Sequence, residues 1–129
     1  MHYAVKITAA LSAGVMLAST AMTPAQAADK PTLAFVANVA SDFWKAAEAG
    51  MKKAQAELPD YNLEFKYPAS GTTADQQRLF EDLASSGVKA IIASVVDPTA
   101  TDGINKIAAE TDFFTTDSDA PQSNRIAYV

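Results

Sequence analysis

The chain has 129 residues, of which 15 are acidic and 10 basic, and its net charge at neutral pH is −5. Nucleic acid and anionic lipid require clustered Lys and Arg, so this acidic balance argues against nucleic acid as a partner. Cysteine is absent, which excludes disulfides and thiol chemistry. The one histidine is His2, so the rest of the chain has no imidazole for a zinc site or for a general base.

The N-terminus has the pattern of an export signal. Lys6 provides a basic start, positions 7–22 are mainly apolar and uncharged, and the small-x-small motif at 25–27 is typical of a signal peptidase site. The apolar stretch is shorter than the roughly 20 residues of a membrane span, although an uncleaved anchor is the alternative. We therefore predict a signal peptide over 1–27, export to the periplasm, and a mature chain of residues 28–129.

Apolar periodicity in the mature chain predicts strands that alternate with helices. Continuous or period-two apolar runs predict strands over 32–37, 62–67, 90–96 and 113–116, and a fifth strand that begins at 126. Helical spacing predicts one helix in each interval between the first four strands. The predicted N-terminal capping residues are, in chain order, Ser41 or Asp42, the capping box of Thr73 and Gln76, and Asp97 followed by Pro98. This order predicts an α/β fold: a parallel sheet with helices on both faces.

Four loops are candidates for a binding site, because ligands bind open parallel sheets beyond the carboxyl ends of the strands. These loops span 38–44, 68–72, 94–98 and 117–121. They hold several hydroxyls, the aromatic residues Phe43 and Trp44, and the carboxylates of Asp42, Asp97, Asp117 and Asp119. An aromatic face suits the C–H surface of a sugar ring, and carboxylates and amides suit its hydroxyls. The composition of the loops therefore favours a carbohydrate site.

Each candidate also has a purely structural interpretation. Phe43 opens an amphipathic helix and fits its core face equally well, whereas Trp44 lies off the main apolar stripe and is expected to face outward. Asp97 and Asp42 fit the role of helix caps. The segment 117–119 fits a solvated turn, and it lacks the Gly and the distal Glu of a calcium loop, so no metal is predicted.

Enzyme chemistry is not expected from the motifs. Residues 38–41 lack the Gly-x-Gly-x-x-Gly pattern that a dinucleotide requires. A Ser-His-Asp triad is impossible because the mature chain has no histidine. We therefore predict a binding protein without a cofactor.

Four segments resemble one family in order and at the expected spacing. They are LAFVAN at 33–38 running into SDFW at 41–44, LASSGVKAII at 83–92, SVVDP at 94–98 and TTDSDAP at 115–121. Together they resemble the ribose-type periplasmic sugar-binding proteins. The resemblance implies the first lobe of a type 1 periplasmic binding protein, which would close with a second lobe on a sugar or polyol. It also implies the substrate-binding component of an ABC importer, with the importer membrane subunits as partners.

The resemblance assigns roles to individual residues. Phe43 and Trp44 match aromatic positions that would stack on the sugar, and Asp117 matches a carboxylate that accepts protons from ligand hydroxyls. Ser118 stands where arginine is common, which argues against ribose itself because a bidentate guanidinium is lost. The predicted ligand-binding residues are Asn38, Ser41, Phe43, Trp44, Asp97, Asp117 and Ser118.

Length separates this chain from the family it resembles. Family members have two lobes, so we expect an incomplete first lobe, truncated in the apolar run that ends at Val129. One lobe provides half of the contacts and cannot close, so weak or absent binding is expected. Two other functions stay open: a periplasmic receptor for a chemotaxis or sensor partner, and a flavodoxin-like small enzyme or carrier. The effector lobe of a transcription regulator is disfavoured by the export signal.

Overall fold

The computed structural model describes residues 29–129, and the predicted signal peptide at 1–27 lies outside them. Strands and helices alternate in the order β1 (Thr32–Val36), α1 (Asp42–Glu57), β2 (Asn62–Lys66), α2 (Thr73–Ser85), β3 (Ala90–Ala93), α3 (Thr101–Ala108), β4 (Asp112–Thr115) and β5 (Ala127–Tyr128). Every predicted strand and helix is present, with ends that differ by at most a few residues. Within residues 29–129, no helix is long and apolar enough to cross a membrane.

All five strands are parallel and lie in the order β2-β1-β3-β4-β5. Successive side chains of a strand point to opposite faces, so each strand serves both sides of the sheet. In β1, Ala34 and Val36 join the core under α2 and α3, whereas Phe35 packs against Trp44 of α1. The predicted parallel α/β sheet with helices on both faces is therefore confirmed.

The larger core lies between the sheet and the pair α2–α3. Phe80 of α2 meets Phe113 of β4 edge to face, with ring centroids 5.1 Å apart. Ile91 of β3 and Ile104 of α3 are buried in the same cluster. Removal of this apolar surface from water is the dominant favourable contribution to folding, so this side of the sheet anchors the loops at its end.

The start of α2 differs from its predicted capping box. Thr72 is the N-cap, and its hydroxyl accepts a hydrogen bond from the amide of Asp75. Thr73 is already helical, and the side chain of Gln76 is buried, 3% exposed, instead of turning back to the cap. The capping box prediction is therefore wrong by one residue, and the side chain of Gln76 instead hydrogen-bonds to backbone groups inside the protein.

The start of α3 also differs from its prediction. The helix begins at Thr101, three residues beyond Pro98, and its N-cap is Ala100 without a side-chain hydrogen bond. Asp97 instead accepts hydrogen bonds from the amide and the hydroxyl of Thr99. This local turn satisfies Asp97 before a helix can start, so Asp97 caps the turn and not α3.

Phe113→Ala is expected to lower the free energy of unfolding by about 3–5 kcal/mol, because it removes a fully buried ring and leaves a cavity. Phe43→Ala is the matched control, and its effect should stay within about 0.5 kcal/mol because that ring is 66% exposed. Urea unfolding followed by circular dichroism measures both. Equal losses in the two variants would contradict this assignment of the core.

Candidate functional site

The four candidate loops lie side by side along one edge of the sheet, here called the carboxyl edge (38–44, 68–72, 94–98 and 117–121). The amide of Val95 donates to the carbonyl of Ser118 at 3.1 Å and so joins the third and fourth loops. Gly71, at φ +66°, brings the second loop against the first, and a Cβ there would lie 3.3 Å from Cγ2 of Val39. The fold therefore brings the predicted loops together.

The two aromatic residues at the start of α1 have opposite environments. Trp44 is 4% exposed and packs against Phe35 and Phe65, with centroid distances of 5.4 and 6.3 Å. The prediction that Trp44 faces outward is wrong, because the buried face of α1 lies one residue further along than the predicted stripe. Phe43 is the exposed ring, and it stands edge to face on Trp44 at 4.8 Å. Of the two adjacent rings, Phe43 thus supplies the accessible aromatic surface.

Two polar groups lie beside this ring. Asn38 lies two residues beyond the end of β1, and its Oδ1 accepts a hydrogen bond from Trp44 Nε1 at 2.9 Å, which points its Nδ2 in another direction. Ser41, one of the two predicted alternatives, is the N-cap of α1, but its hydroxyl does not make the expected capping hydrogen bond. Among residues 29–129, neither Asn38 Nδ2 nor the Ser41 hydroxyl has a hydrogen-bond partner. An amide donor and a hydroxyl are therefore available next to Phe43.

Asp97 presents a carboxylate after β3. Its Oδ1 accepts from the hydroxyl of Thr99 at 2.7 Å and from the amide of Thr99 at 2.8 Å. These hydrogen bonds, the hydroxyl first, hold the pKa of Asp97 below its usual value, so the group is charged at neutral pH. Its Oδ2 has no hydrogen-bond partner within the described chain and can accept from a ligand.

Asp117 presents a second carboxylate after β4. It adopts φ +58°, and it is the only non-glycine residue with positive φ in the described chain. Aspartate tolerates this region better than most residues. The hydroxyl of Ser94 donates to Asp117 Oδ2 at 2.9 Å, and the hydroxyl of Tyr128 donates to its carbonyl oxygen at 3.2 Å. Asp117 is thus exposed but fixed in place.

Asp119, two residues on, has its own cation. Arg125 Nε and Nη2 donate to its Oδ1 and Oδ2 at 2.5 and 2.8 Å, and the Thr115 hydroxyl donates to Oδ1 at 2.5 Å. The guanidinium of Arg125, more than any other group, lowers the pKa of Asp119 to about 2. A bidentate pair of this kind fixes geometry. Asp119 therefore fastens the segment after β4 to the sheet.

The cations near the carboxyl edge are already engaged. Within residues 29–129 the ion pairs in this region are Lys45–Asp42, Lys66–Glu64, Arg78–Asp75 and Arg125–Asp119. Among the same residues, neither Asp97 nor Asp117 forms an ion pair with a Lys or Arg side chain. Uncompensated carboxylates disfavour an anionic ligand, so the edge suits a neutral polyhydroxyl compound.

Gln76 belongs to the site but was not predicted there. It reaches from α2 into the gap between the first and third loops, and its Nε2 donates to the carbonyls of Ala37 and Ser94 at 3.1 and 2.8 Å. Its Oε1 accepts from the amide of Val96 at 2.9 Å. The available sequence signal was its spacing of four residues from Phe80, which places Gln76 on the buried face of α2.

A polar groove of 420 Å³ adjoins the start of α1. It is lined by Ala40, Ser41, Asp42, Lys45, Glu48 and Tyr67. The hydroxyl of Tyr67 donates to Glu48 at 3.1 Å. Desolvation of the phenol raises the pKa of Tyr67, and the hydrogen bond to the Glu48 carboxylate raises it further.

Residues 29–129 contain no group of three His, Cys, Asp or Glu side chains that could hold a metal ion.

Comparison with known proteins identifies similar sequences and folds. Residues 33–129 match the profile of a periplasmic binding protein domain. No curated protein sequence matches the chain. Similar solved structures include XylFII, with 30% identity and a TM-score of 0.68 over 77% of this chain and 37% of that one.

Two similar structures are described by their ligands. A solute-binding protein of an ABC transporter from Burkholderia graminis, in complex with D-arabinose, is 27% identical, with a TM-score of 0.70 over 80% of this chain and 36% of that one. GanP, a glucose-galactose binding protein from Geobacillus stearothermophilus, is 28% identical, with a TM-score of 0.70 over 78% and 36%. The chain thus spans little more than a third of the length of these proteins.

Acid is expected to destabilise the protein through Asp119. Its pKa is depressed in the folded state, so its contribution to stability is complete above pH 4 and is lost as pH falls towards 2. Asp119→Asn should therefore lower the urea midpoint at pH 6, and the gap to the parent should close between pH 4 and pH 2. A gap of constant size across that range would show that the ion pair with Arg125 does not stabilise the fold.

Proposed function

Since the chain belongs to the periplasmic binding protein domain family, we propose that it binds a neutral monosaccharide or polyol at the carboxyl edge. It acts as a binding protein and not as an enzyme, and it serves in the periplasm as the substrate-binding component of an ABC importer. The observation that carries this proposal is the exposed ring of Phe43, set among polar groups that have no partner within the described chain.

The ligand would lie with the C–H face of its ring on Phe43. Asn38 Nδ2 would donate to one hydroxyl, and the Ser41 hydroxyl would donate to or accept from another. Asp97 and Asp117 would accept hydrogen bonds from further hydroxyls, and these hydrogen bonds are stronger because the acceptor is charged. An aromatic ring combined with these donors and acceptors would give a sugar both affinity and orientation.

Trp44 and Ser118 would contribute through their neighbours. Trp44 backs the ring of Phe43 and turns the amide of Asn38 by the hydrogen bond from Nε1. Ser118 joins the third and fourth loops through its carbonyl oxygen, which accepts from Val95. Both residues would therefore act as supports behind the ligand contacts.

Neutral sugars are favoured by charge and by similarity. The carboxylates of Asp97 and Asp117 lack a cationic partner among residues 29–129. Their negative charge would therefore repel a sugar acid or a sugar phosphate. The similar proteins from Burkholderia graminis and Geobacillus stearothermophilus are described with D-arabinose and with glucose and galactose. These are uncharged monosaccharides, in agreement with the charge argument.

Affinity should be weak for this chain by itself. Its contacts come from one side of the ligand, and the sugar would stay partly hydrated on the other side. A sugar that is covered on one face keeps competing hydrogen bonds to water, so each protein contact contributes little. Titration therefore requires a method that detects weak binding at individual residues.

A sensor partner is a second candidate role. XylFII in its complex with LytSN is 30% identical to this chain, with a TM-score of 0.67 over 78% of this chain and 37% of that one. That similarity favours a receptor that presents its ligand to a signalling protein. Both roles require the same sugar site, so a sugar titration tests what they share.

Phe43→Ala is expected to weaken sugar binding about five- to ten-fold, because it removes the stacking surface. Phe43→Tyr should bind like the parent. Leu58→Ala is the control, since Leu58 is also exposed but lies beyond the far end of α1. The measurement is an NMR titration of the chain with D-arabinose, D-xylose, D-glucose, D-galactose and xylitol. Absence of binding by the parent to all five compounds would overturn the proposed function.

D-glucuronate is expected to bind at least about three-fold more weakly than D-glucose in low salt, because its carboxylate faces Asp97 and Asp117. The difference should shrink at high salt, where exposed charges are screened. Asp117→Asn should also reduce the difference in affinity between the two sugars, and asparagine tolerates the positive φ at this position. Tighter binding of the sugar acid than of glucose would contradict the assignment of these carboxylates to the site.

A further inference from the structure

β1 and β3 pair side by side and then separate at the carboxyl edge. The outermost hydrogen bond between them joins the amide of Ser94 to the carbonyl of Val36 at 3.0 Å. Beyond it the side chain of Gln76 occupies the fork, where it binds the carbonyls of Ala37 and Ser94 and the amide of Val96. One side chain from α2 therefore bridges the two strand ends.

Each bridged backbone group is next to a proposed ligand residue. The neighbours are Ala37 before Asn38, Val96 before Asp97, and Ser94, whose hydroxyl donates to Asp117. A shift of either strand end would move the side chain that follows it. The three hydrogen bonds of Gln76 thus tie the start of the first loop to the third loop.

The chemistry of the fork requires a carboxamide. Two carbonyl oxygens need N–H donors and one amide needs an acceptor, and glutamine supplies all three from one planar group. Glutamate at neutral pH would bring only acceptors towards the two carbonyls. Methionine would fill a similar volume but would leave all three backbone groups without partners.

We propose that Gln76 is a positioning residue for ligand binding: it fixes the ends of β1 and β3 relative to each other, so that Asn38 and Asp97 are held in place for the same ligand. This inference rests on the proposed function at the carboxyl edge. Gln76 acts through the backbone of the two loops, since it is 3% exposed and hydrogen-bonds to main-chain atoms on both sides.

Gln76→Met tests the role, with Leu83→Ala as the matched control. Leu83 is buried on the same helix, two turns further on, in the core away from the loops. Both variants lower stability, so both are compared at a temperature where each is folded. Gln76→Met should weaken binding of D-arabinose or D-glucose at least about five-fold, whereas Leu83→Ala should stay within about two-fold of the parent. Equal weakening in the two variants would overturn the inference.

Amide hydrogen exchange separates this inference from the proposed function. Gln76→Met should speed exchange of the Val96 amide at least about ten-fold relative to Ile91 and move the amide resonances of Asn38 and Asp97, because the hydrogen bond to Oε1 is lost. Leu83→Ala should do neither. If the parent binds no sugar, the proposed function fails, and these two readouts still decide whether Gln76 positions the loops. Unchanged exchange and resonances in Gln76→Met would refute it.

Discussion

The parallel pairing of β1 with β3 is the constraint on which the rest of the molecule depends. It places these strands at the centre of the sheet, with β2 on one side and β4 and β5 on the other. α1 leaves β1 towards one face and α3 leaves β3 towards the other, so the two chain segments part where the strands end. A crevice at that point is a general property of such sheets. In this protein Gln76 occupies its floor and joins both walls.

The two faces of the sheet are built from different side chains, with different consequences for the site. The α2–α3 face is an interlocked cluster around Phe113 and carries most of the buried apolar surface. The α1 face is aromatic: Phe65 stacks on Phe35 at 4.8 Å, Phe35 meets Trp44, and Trp44 meets Phe43. This row of rings runs from β2 to solvent at the carboxyl edge. The exposed ring of Phe43 is therefore packed against a continuous row of rings, and in the proposed site such packing would reduce the entropy lost on binding.

Asp117 and Asp119 lie in one short segment but have different environments. Asp119 is neutralised by a bidentate Arg125, and its role is to hold the loop. Asp117 receives one neutral hydroxyl from Ser94 and remains exposed and charged. The nearby cations form ion pairs with other carboxylates and not with Asp97 or Asp117. The carboxyl edge therefore carries negative charge without a cationic partner among the described residues.

The order of strands and helices, the α/β class and the four candidate loops followed from the sequence, because apolar periodicity and the turn residues between runs are local properties. The resemblance in four segments gave the family for the same reason. Helix starts were less certain: Thr72 displaced Thr73, and the turn at Asp97 delayed α3, because several residues in a row can cap and tertiary contacts choose among them.

Only the tertiary structure decided which aromatic ring is exposed at the carboxyl edge and which polar side chain bridges the ends of β1 and β3. Trp44 and Phe43 are adjacent, and both fit a helix that is buried along one side; the rings of β1 and β2 and the oxygen of Asn38 select Trp44 for the interior. Gln76 is polar in sequence, yet it is buried because three backbone groups from distant strand ends converge on it. Local patterns determine what each segment becomes, whereas contacts between segments far apart in the chain determine which side chains remain free for a ligand.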